Sequence, residues 1–267
     1  MDTGGTAGPR SGAVRWIPVR SGESGAEVFR SADGALHRKR VATDRSASLA
    51  AERDRLRWLS GTGIPGPDVI DWSEGDGGAE LTMTTVPGVP ADILIAGQLW
   101  DAWTSIAEAV RGLHEVPTAT CPFSHDVVDL VEIARAVVRR GAVNPEFLRP
   151  EDRMVAPSEL LARLELQLEV RMEQQSADAV VCHGDLCLPN LIVDPDAGSL
   201  SGFIDVGRLG VGDPHVDLTL LLATARETWS DDVEAARAEA ELERHYGPAL
   251  DHDRMRFYLA LDPLTWG

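Results

Sequence analysis

Pro87-Gly88-Val89-Pro90 divides the chain into two stretches of different character, and any fold must accommodate that division. Before it, runs rich in β-branched and aromatic residues alternate with turn residues. Residues 16–19, 26–30, 35–41, 69–72 and 80–86 read as five strands. One helix is expected among them, over 46–60, with Leu49, Leu56 and Leu59 on one face and Gly61 and Gly63 as its stop. After the division, helical patterns dominate at 98–115, 126–140, 158–174, 215–228, 231–245 and 252–261. The expected organisation is a Gly-rich tail over 1–12, a sheet-rich lobe over 13–86, a hinge at 87–90 and a larger helical lobe over 91–267. Strands followed by helices make an α+β class, here a small antiparallel-sheet lobe and a helical one.

One hairpin interrupts the helical part, and it carries the densest chemistry. His183-Gly184-Asp185-Leu186-Cys187-Leu188-Pro189-Asn190 must form a loop, because Gly184 and Pro189 break regular structure. Leu191-Ile192-Val193 leads away as a strand, and Asp194-Pro195-Asp196-Ala197-Gly198 turns it back. The return strand ends at Phe203-Ile204-Asp205, which brings Asp205 beside Asn190. This spacing suits phosphoryl transfer. Asp185 would accept the proton of a substrate hydroxyl, while Asn190 and Asp205 offer oxygen ligands to Mg²⁺. His183 is expected to support the loop rather than to act as acid or base. Cys182, His183 and Cys187 lack a fourth ligand at zinc spacing.

The nucleotide half of such a reaction is expected in the first stretch. Lys39 is the only lysine among 25 basic residues and lies in a strand-like segment. It would contact the α- and β-phosphates, with Glu52 on the following helix as the partner that orients it. The small-residue turn Ser21-Gly22-Glu23-Ser24-Gly25 could bring backbone N–H groups and the Ser24 hydroxyl to phosphate. The segment ending at Val86 could offer backbone groups to adenine. Asp213 and Asp217 read as structural, capping a helix or bracing the catalytic loop.

Composition narrows the partners. A net charge of −18 argues against nucleic acid, whose phosphates require a basic footprint, and is compatible with a cationic substrate. The longest apolar run, near 218–225, is too short to span a bilayer, and no signal peptide is expected at the N-terminus. Three scattered cysteines, Cys121, Cys182 and Cys187, suggest a reducing cytoplasm rather than a disulfide framework.

Together these residues resemble the aminoglycoside phosphotransferases, a family with a protein-kinase-like two-lobe fold. The resemblance rests on Ser24, Lys39, Glu52 in Ala51-Glu52-Arg53-Asp54-Arg55-Leu56, the His183 to Asn190 loop, and Ile204-Asp205-Val206-Gly207-Arg208. It implies Asp185 as the catalytic residue, Asn190 and Asp205 as metal ligands, Lys39 on the ATP phosphates, and adenine contacts near Thr84 and Val86. Gly22-Glu23-Ser24-Gly25, Ala142-Val143-Asn144-Pro145 and the terminal Asp262-Pro263-Leu264-Thr265-Trp266-Gly267 are most similar to members acting on the 3''-hydroxyl of streptomycin. Asp262 matches a position where relatives bind the antibiotic, although Pro263 and the Trp-Gly ending depart from their pattern. The implied activity is ATP- and Mg²⁺-dependent phosphorylation of an aminoglycoside, which inactivates it and confers resistance. Two other readings stay open: a kinase of the same fold acting on another aminoglycoside or small hydroxyl metabolite, and a silent nucleotide- or partner-binding module. Intact Lys39, Asp185, Asn190 and Asp205 argue against the last.

Overall fold

The structure is a computed structural model that describes residues 14–19 and 25–267. Among the described residues the chain divides into two compact units, one containing 14–19, 25–50 and 68–85, the other 51–67 and 86–267. Residues 51–67 therefore pack with the helical part, although they precede the proline-rich division.

The first unit is a five-stranded antiparallel sheet. Its strands are β1 (Trp16–Val19), β2 (Glu27–Ser31), β3 (Leu36–Val41), β4 (Val69–Gly75) and β5 (Gly78–Thr84), in the order β1-β2-β3-β5-β4. A side-chain-built turn closes β2 onto β3. The Ser31 hydroxyl donates to Asp33 Oδ1 at 2.5 Å, the same carboxylate oxygen accepts the Ala35 N–H, and Ser31 Oγ accepts the Leu36 N–H. Strand β5 buries Ala79, Leu81 and Met83 on one face and Thr82 on the other. Lys39 lies mid-strand in β3, opposite Val28 on one side and Leu81 on the other.

Helix α1 (Ser46–Leu59) begins in the first unit and runs into the second. The second unit then contains α2 (Ala96–His114), α3 (Val127–Arg139), α4 (Pro157–Glu165), α5 (Leu168–Asp178), α6 (His215–Ala225), α7 (Asp232–Tyr246) and α8 (His252–Leu261). Helix α2 buries Leu99, Ala102, Trp103, Ile106, Val110 and Leu113, the three- and four-residue spacing of an amphipathic helix. That stripe packs in one core with the hairpin, α6 and α7; a second core joins α3, α4 and α8.

The single helix expected over 158–174 is two helices. The chain breaks at Leu166, which is 88% exposed, and Gln167 starts α5 by accepting the Arg171 N–H on its carbonyl and the Arg171 guanidinium on its side chain. Buried Arg171 and Gln175 then occupy the face that leucines hold in α4.

Three short pairings fix the hairpin. Strands β8 (Leu191–Asp194) and β9 (Ser199–Phe203) pair antiparallel, and β6 (Val89–Pro90) adds to the other edge of β8. Gly88 permits that approach: its φ is +125°, and a Cβ there would stand 2.4 Å from the Val193 carbonyl oxygen. Strands β7 (Val180–Cys182) and β10 (Gly210–Gly212) form a separate antiparallel pair. They deliver the two ends of the functional segment, His183 and Asp213. Among the described residues, no helix is long and apolar enough to cross a membrane.

Candidate active site

The loop after β7 is held by its own side chains and by α6. Gly184 has φ +82°, and a Cβ there would lie 2.4 Å from the Arg208 carbonyl oxygen, so only glycine fits. Asp217 in α6 is fully buried and accepts the His183 N–H on Oδ2 at 2.6 Å and the Gly184 N–H on Oδ1 at 2.8 Å. This is the bracing role expected for Asp217. Burial alone would raise its carboxyl, but the hydrogen bonds from His114 and Gly184 and the nearby histidines outweigh it and hold the group below its ordinary value. Asp213 caps α6 by accepting the His215 N–H at 2.9 Å.

His183 ties the loop to the far end of the hairpin. Its Nε2 lies 2.9 Å from the Ile204 carbonyl oxygen, to which it donates, and Nδ1 accepts the Asp185 N–H at 3.3 Å. Both ring nitrogens are thus spent on backbone, in a residue with no exposure. Asn190 closes the circuit. Its Nδ2 donates to the Asp185 carbonyl oxygen at 2.8 Å and to Asp185 Oδ2 at 3.0 Å, and its carbonyl accepts the Ile204 N–H at 3.0 Å. The amide orientation leaves Asn190 Oδ1, a hard oxygen, as its remaining donor atom.

Asp205 follows directly, with φ 58° and ψ 49°. Among the described residues it is the one non-glycine residue with positive φ. Left-handed backbone at a residue with a Cβ is costly and persists where surrounding contacts enforce it, often at functional sites. The carboxyl of Asp185 is raised above its ordinary value, first by burial and also by Asp205; His183, Arg208 and Asn190 pull the other way. The Asp185 carboxyl thus feels a second carboxyl, Asp205, and a guanidinium, Arg208, while the Asn190 amide holds it. That set can accept a proton from a hydroxyl and coordinate a divalent cation.

The other sequence-derived positions are distributed as follows. Ser24 lies outside the described residues. Lys39 and Glu52 belong to different units. Glu52 is buried, and its Cβ stands 3.8 Å from where a Cβ on Gly207 would be, so α1 backs the segment that follows Asp205. Thr84 ends β5 with its N–H donated to the Asp68 carbonyl at 2.9 Å and its hydroxyl accepting the Asp68 N–H at 2.8 Å. The Thr84 amide is thereby used within its own unit. Val86 packs a methyl group near Gly202 of β9.

Asp262 faces Arg208 rather than standing alone. Its Oδ1 is 3.9 Å from the guanidinium and accepts the Trp266 indole N–H at 3.1 Å. Arg208 in turn stacks on the Trp266 ring at 3.6 Å and donates to Thr265 Oγ1 at 3.0 Å. Burial pushes the Asp262 carboxyl up to about 6 against the pull of Arg208, and Asp185 adds to the rise. The residues that sequence patterns alone did not single out are His114, which meets Asp217, and Tyr246, which meets His114, both only through the packing of α2, α6 and α7. A histidine in the last turn of an amphipathic helix reads as a dipole-complementing cation, and no local signal separates the two roles.

Comparison with known proteins shows which proteins the chain is similar to. The model of the phosphotransferase enzyme family matches residues 15–258. The streptomycin 3''-kinase of Streptomyces griseus is 57% identical over 252 residues, covering 94% of this chain and 93% of that protein. An aminoglycoside 3'-phosphotransferase of Streptomyces fradiae is 36% identical, covering 92% and 94%. Among solved structures, an aminoglycoside phosphotransferase of Streptomyces rimosus in complex with ADP and streptomycin superposes with a TM-score of 0.91 at 53% identity, covering 96% of this chain and 95% of that one.

Proposed function

We propose that this chain, which belongs to the phosphotransferase enzyme family, transfers the γ-phosphoryl group of ATP to the 3''-hydroxyl of streptomycin and so inactivates the antibiotic. The observation that carries the reaction class is the pinning of Asp185 by the Asn190 amide, with His183 tying the loop to Ile204, the residue before Asp205. Identity of 57% to a streptomycin 3''-kinase, and the likeness to a structure holding ADP and streptomycin, support the choice of substrates.

Asp185 accepts a hydrogen bond from the 3''-hydroxyl and takes its proton as the new oxygen–phosphorus bond forms and the bond to ADP breaks. Its raised carboxyl brings the base closer to the working pH. The Asn190 amide pins the Asp185 carboxylate, which contributes through orientation. Asn190 Oδ1 and the Asp205 carboxylate are the proposed ligands of Mg²⁺, whose preference for hard oxygen donors fits both. When bound, the ion neutralises charge on the phosphate oxygens. Lys39 is proposed to hold the α- and β-phosphates with Glu52 orienting it, Ser24 to contact phosphate, and Thr84 and Val86 to meet adenine through backbone groups. Asp262 is proposed to face a cationic group of the antibiotic. The free thiols Cys121, Cys182 and Cys187 suit a cytoplasmic location.

The test is ADP release by the purified protein with MgATP and a panel of aminoglycosides and small hydroxyl metabolites. Streptomycin should be the strongly preferred acceptor. Turnover on another acceptor with none on streptomycin would replace the substrate assignment while leaving the phosphotransferase assignment intact.

A further inference from the structure

The brace on the catalytic loop is itself held from behind. His114, at the end of α2, places Nε2 3.1 Å from Asp217 Oδ2 and Nδ1 2.8 Å from the Tyr246 hydroxyl of α7. A carboxylate only accepts, so Nε2 carries the hydrogen in this contact. The Tyr246 phenol is pushed above its ordinary value, first by burial and then by the surrounding acidic groups, so it stays protonated and donates to Nδ1. Each hydrogen bond in the chain then has one direction. Tyr246 donates to His114, His114 donates to Asp217, and the His183 and Gly184 N–H groups donate to the same carboxylate. All three side chains involved are buried: Tyr246 is 4% exposed, His114 7% and Asp217 0%.

We propose that His114 and Tyr246 are positioning residues that set the Asp217 carboxylate and, through it, the backbone that aims Asp185. The proposal rests on the phosphotransfer role of Asp185. The two Asp217 oxygens grip two successive amides, and Asp185 is the next residue. Rotation of that carboxylate would shift the base, and small misplacements in such sites are costly. His114 opposes the rotation by occupying Oδ2, and Tyr246 opposes rotation of the imidazole by occupying Nδ1. Without them a buried carboxylate would lose a partner in a region that excludes water.

A metal is the competing occupant. His114, Cys182 and Asp217 present ligand atoms within 4.8 Å of one another. The hydrogen bonds already use these atoms. The Cys182 thiol donates to the Asp213 carbonyl oxygen at 3.3 Å, and burial raises it far above its ordinary value, so it remains a thiol.

The experiment compares wild type, His114→Leu, His114→Gln and Tyr246→Phe as full chains. It measures steady-state turnover of MgATP and streptomycin, exchange of the His183 and Gly184 amide hydrogens, and zinc content. In His114→Leu, kcat should fall by about 100-fold with KM for both substrates unchanged, and both amides should exchange faster. His114→Gln keeps an N–H donor for Asp217 and should recover most of the loss. Tyr246→Phe fills the same space, so it should stay folded if His114→Leu does not, and it should fall between them. The inference is overturned if His114→Leu or Tyr246→Phe leaves kcat and both amides at wild-type values, if His114→Gln behaves as His114→Leu, or if the protein carries one zinc per chain. Amide exchange needs no substrate. A wild-type protein inactive on streptomycin would therefore contradict the proposed function, while the exchange data decide the positioning role separately.

Discussion

At the scale of single residues, Asp185 and Asp262 are two carboxyls with raised proton affinity and different duties. Asp185→Asn keeps the shape and the Asn190 contact but removes the proton acceptor. We expect kcat to fall by about 10²–10⁴-fold with little change in KM for ATP, measured by steady-state kinetics. Asp262, pushed up to about 6, is charged above that pH and neutral below it. If it faces a cationic group, KM for streptomycin should rise as pH falls from 7 to 5. Asp262→Asn should raise KM at pH 7 and flatten that dependence. The loop that brings Asn190 onto Asp185 was legible in the sequence, because Gly184 and Pro189 break regular structure. The left-handed backbone at Asp205 and the Arg208 contact of Asp262 were not, because both arise from chain segments meeting in space.

At the scale of elements, the loop and hairpin act as one piece, since His183, Asn190 and Ile204 bond across it. Gly184 is its tightest point. Gly184→Ala adds strain of about 1–3 kcal/mol from the positive φ alone, and its Cβ meets backbone atoms of Arg208 that cannot swing aside. Urea unfolding should show that loss, and activity should drop with it. The hairpin was readable from its apolar run and turn residues. Strands β7 and β10 were not, because three residues are too few to display a period. The break between α4 and α5 was hidden for another reason. Arg171 continues the buried face through ion pairing with Asp253 and hydrogen bonds to Gln167 and Gln174, which hydrophobic patterning does not register.

At the scale of the whole molecule, the acidic chain has a buried basic weak point. Burial lowers His125 to about 4, with smaller contributions from Arg208 and Arg55. The unfolded chain binds a proton there at higher pH than the folded one does. This contribution to stability is therefore complete above about 6.5 and is lost as pH falls towards 4. At pH 5 the loss is on the order of 2 kcal/mol, readable as a lower urea midpoint than at pH 7, and His125→Gln should remove that part of the slope. Both units were anticipated as a sheet-rich and a helical stretch, yet residues 51–67 group with the helical one, because a helix can begin in one packing unit and bury its later turns in another. The central claim is a phosphoryl transfer to one hydroxyl of one antibiotic. Its most direct test is phosphorus–proton correlation NMR of the product formed from MgATP and streptomycin. The expected product is a single monophosphate whose phosphorus couples to the proton at carbon 3''. Phosphate on a different hydroxyl, or ATP consumed with streptomycin left unmodified, would contradict it.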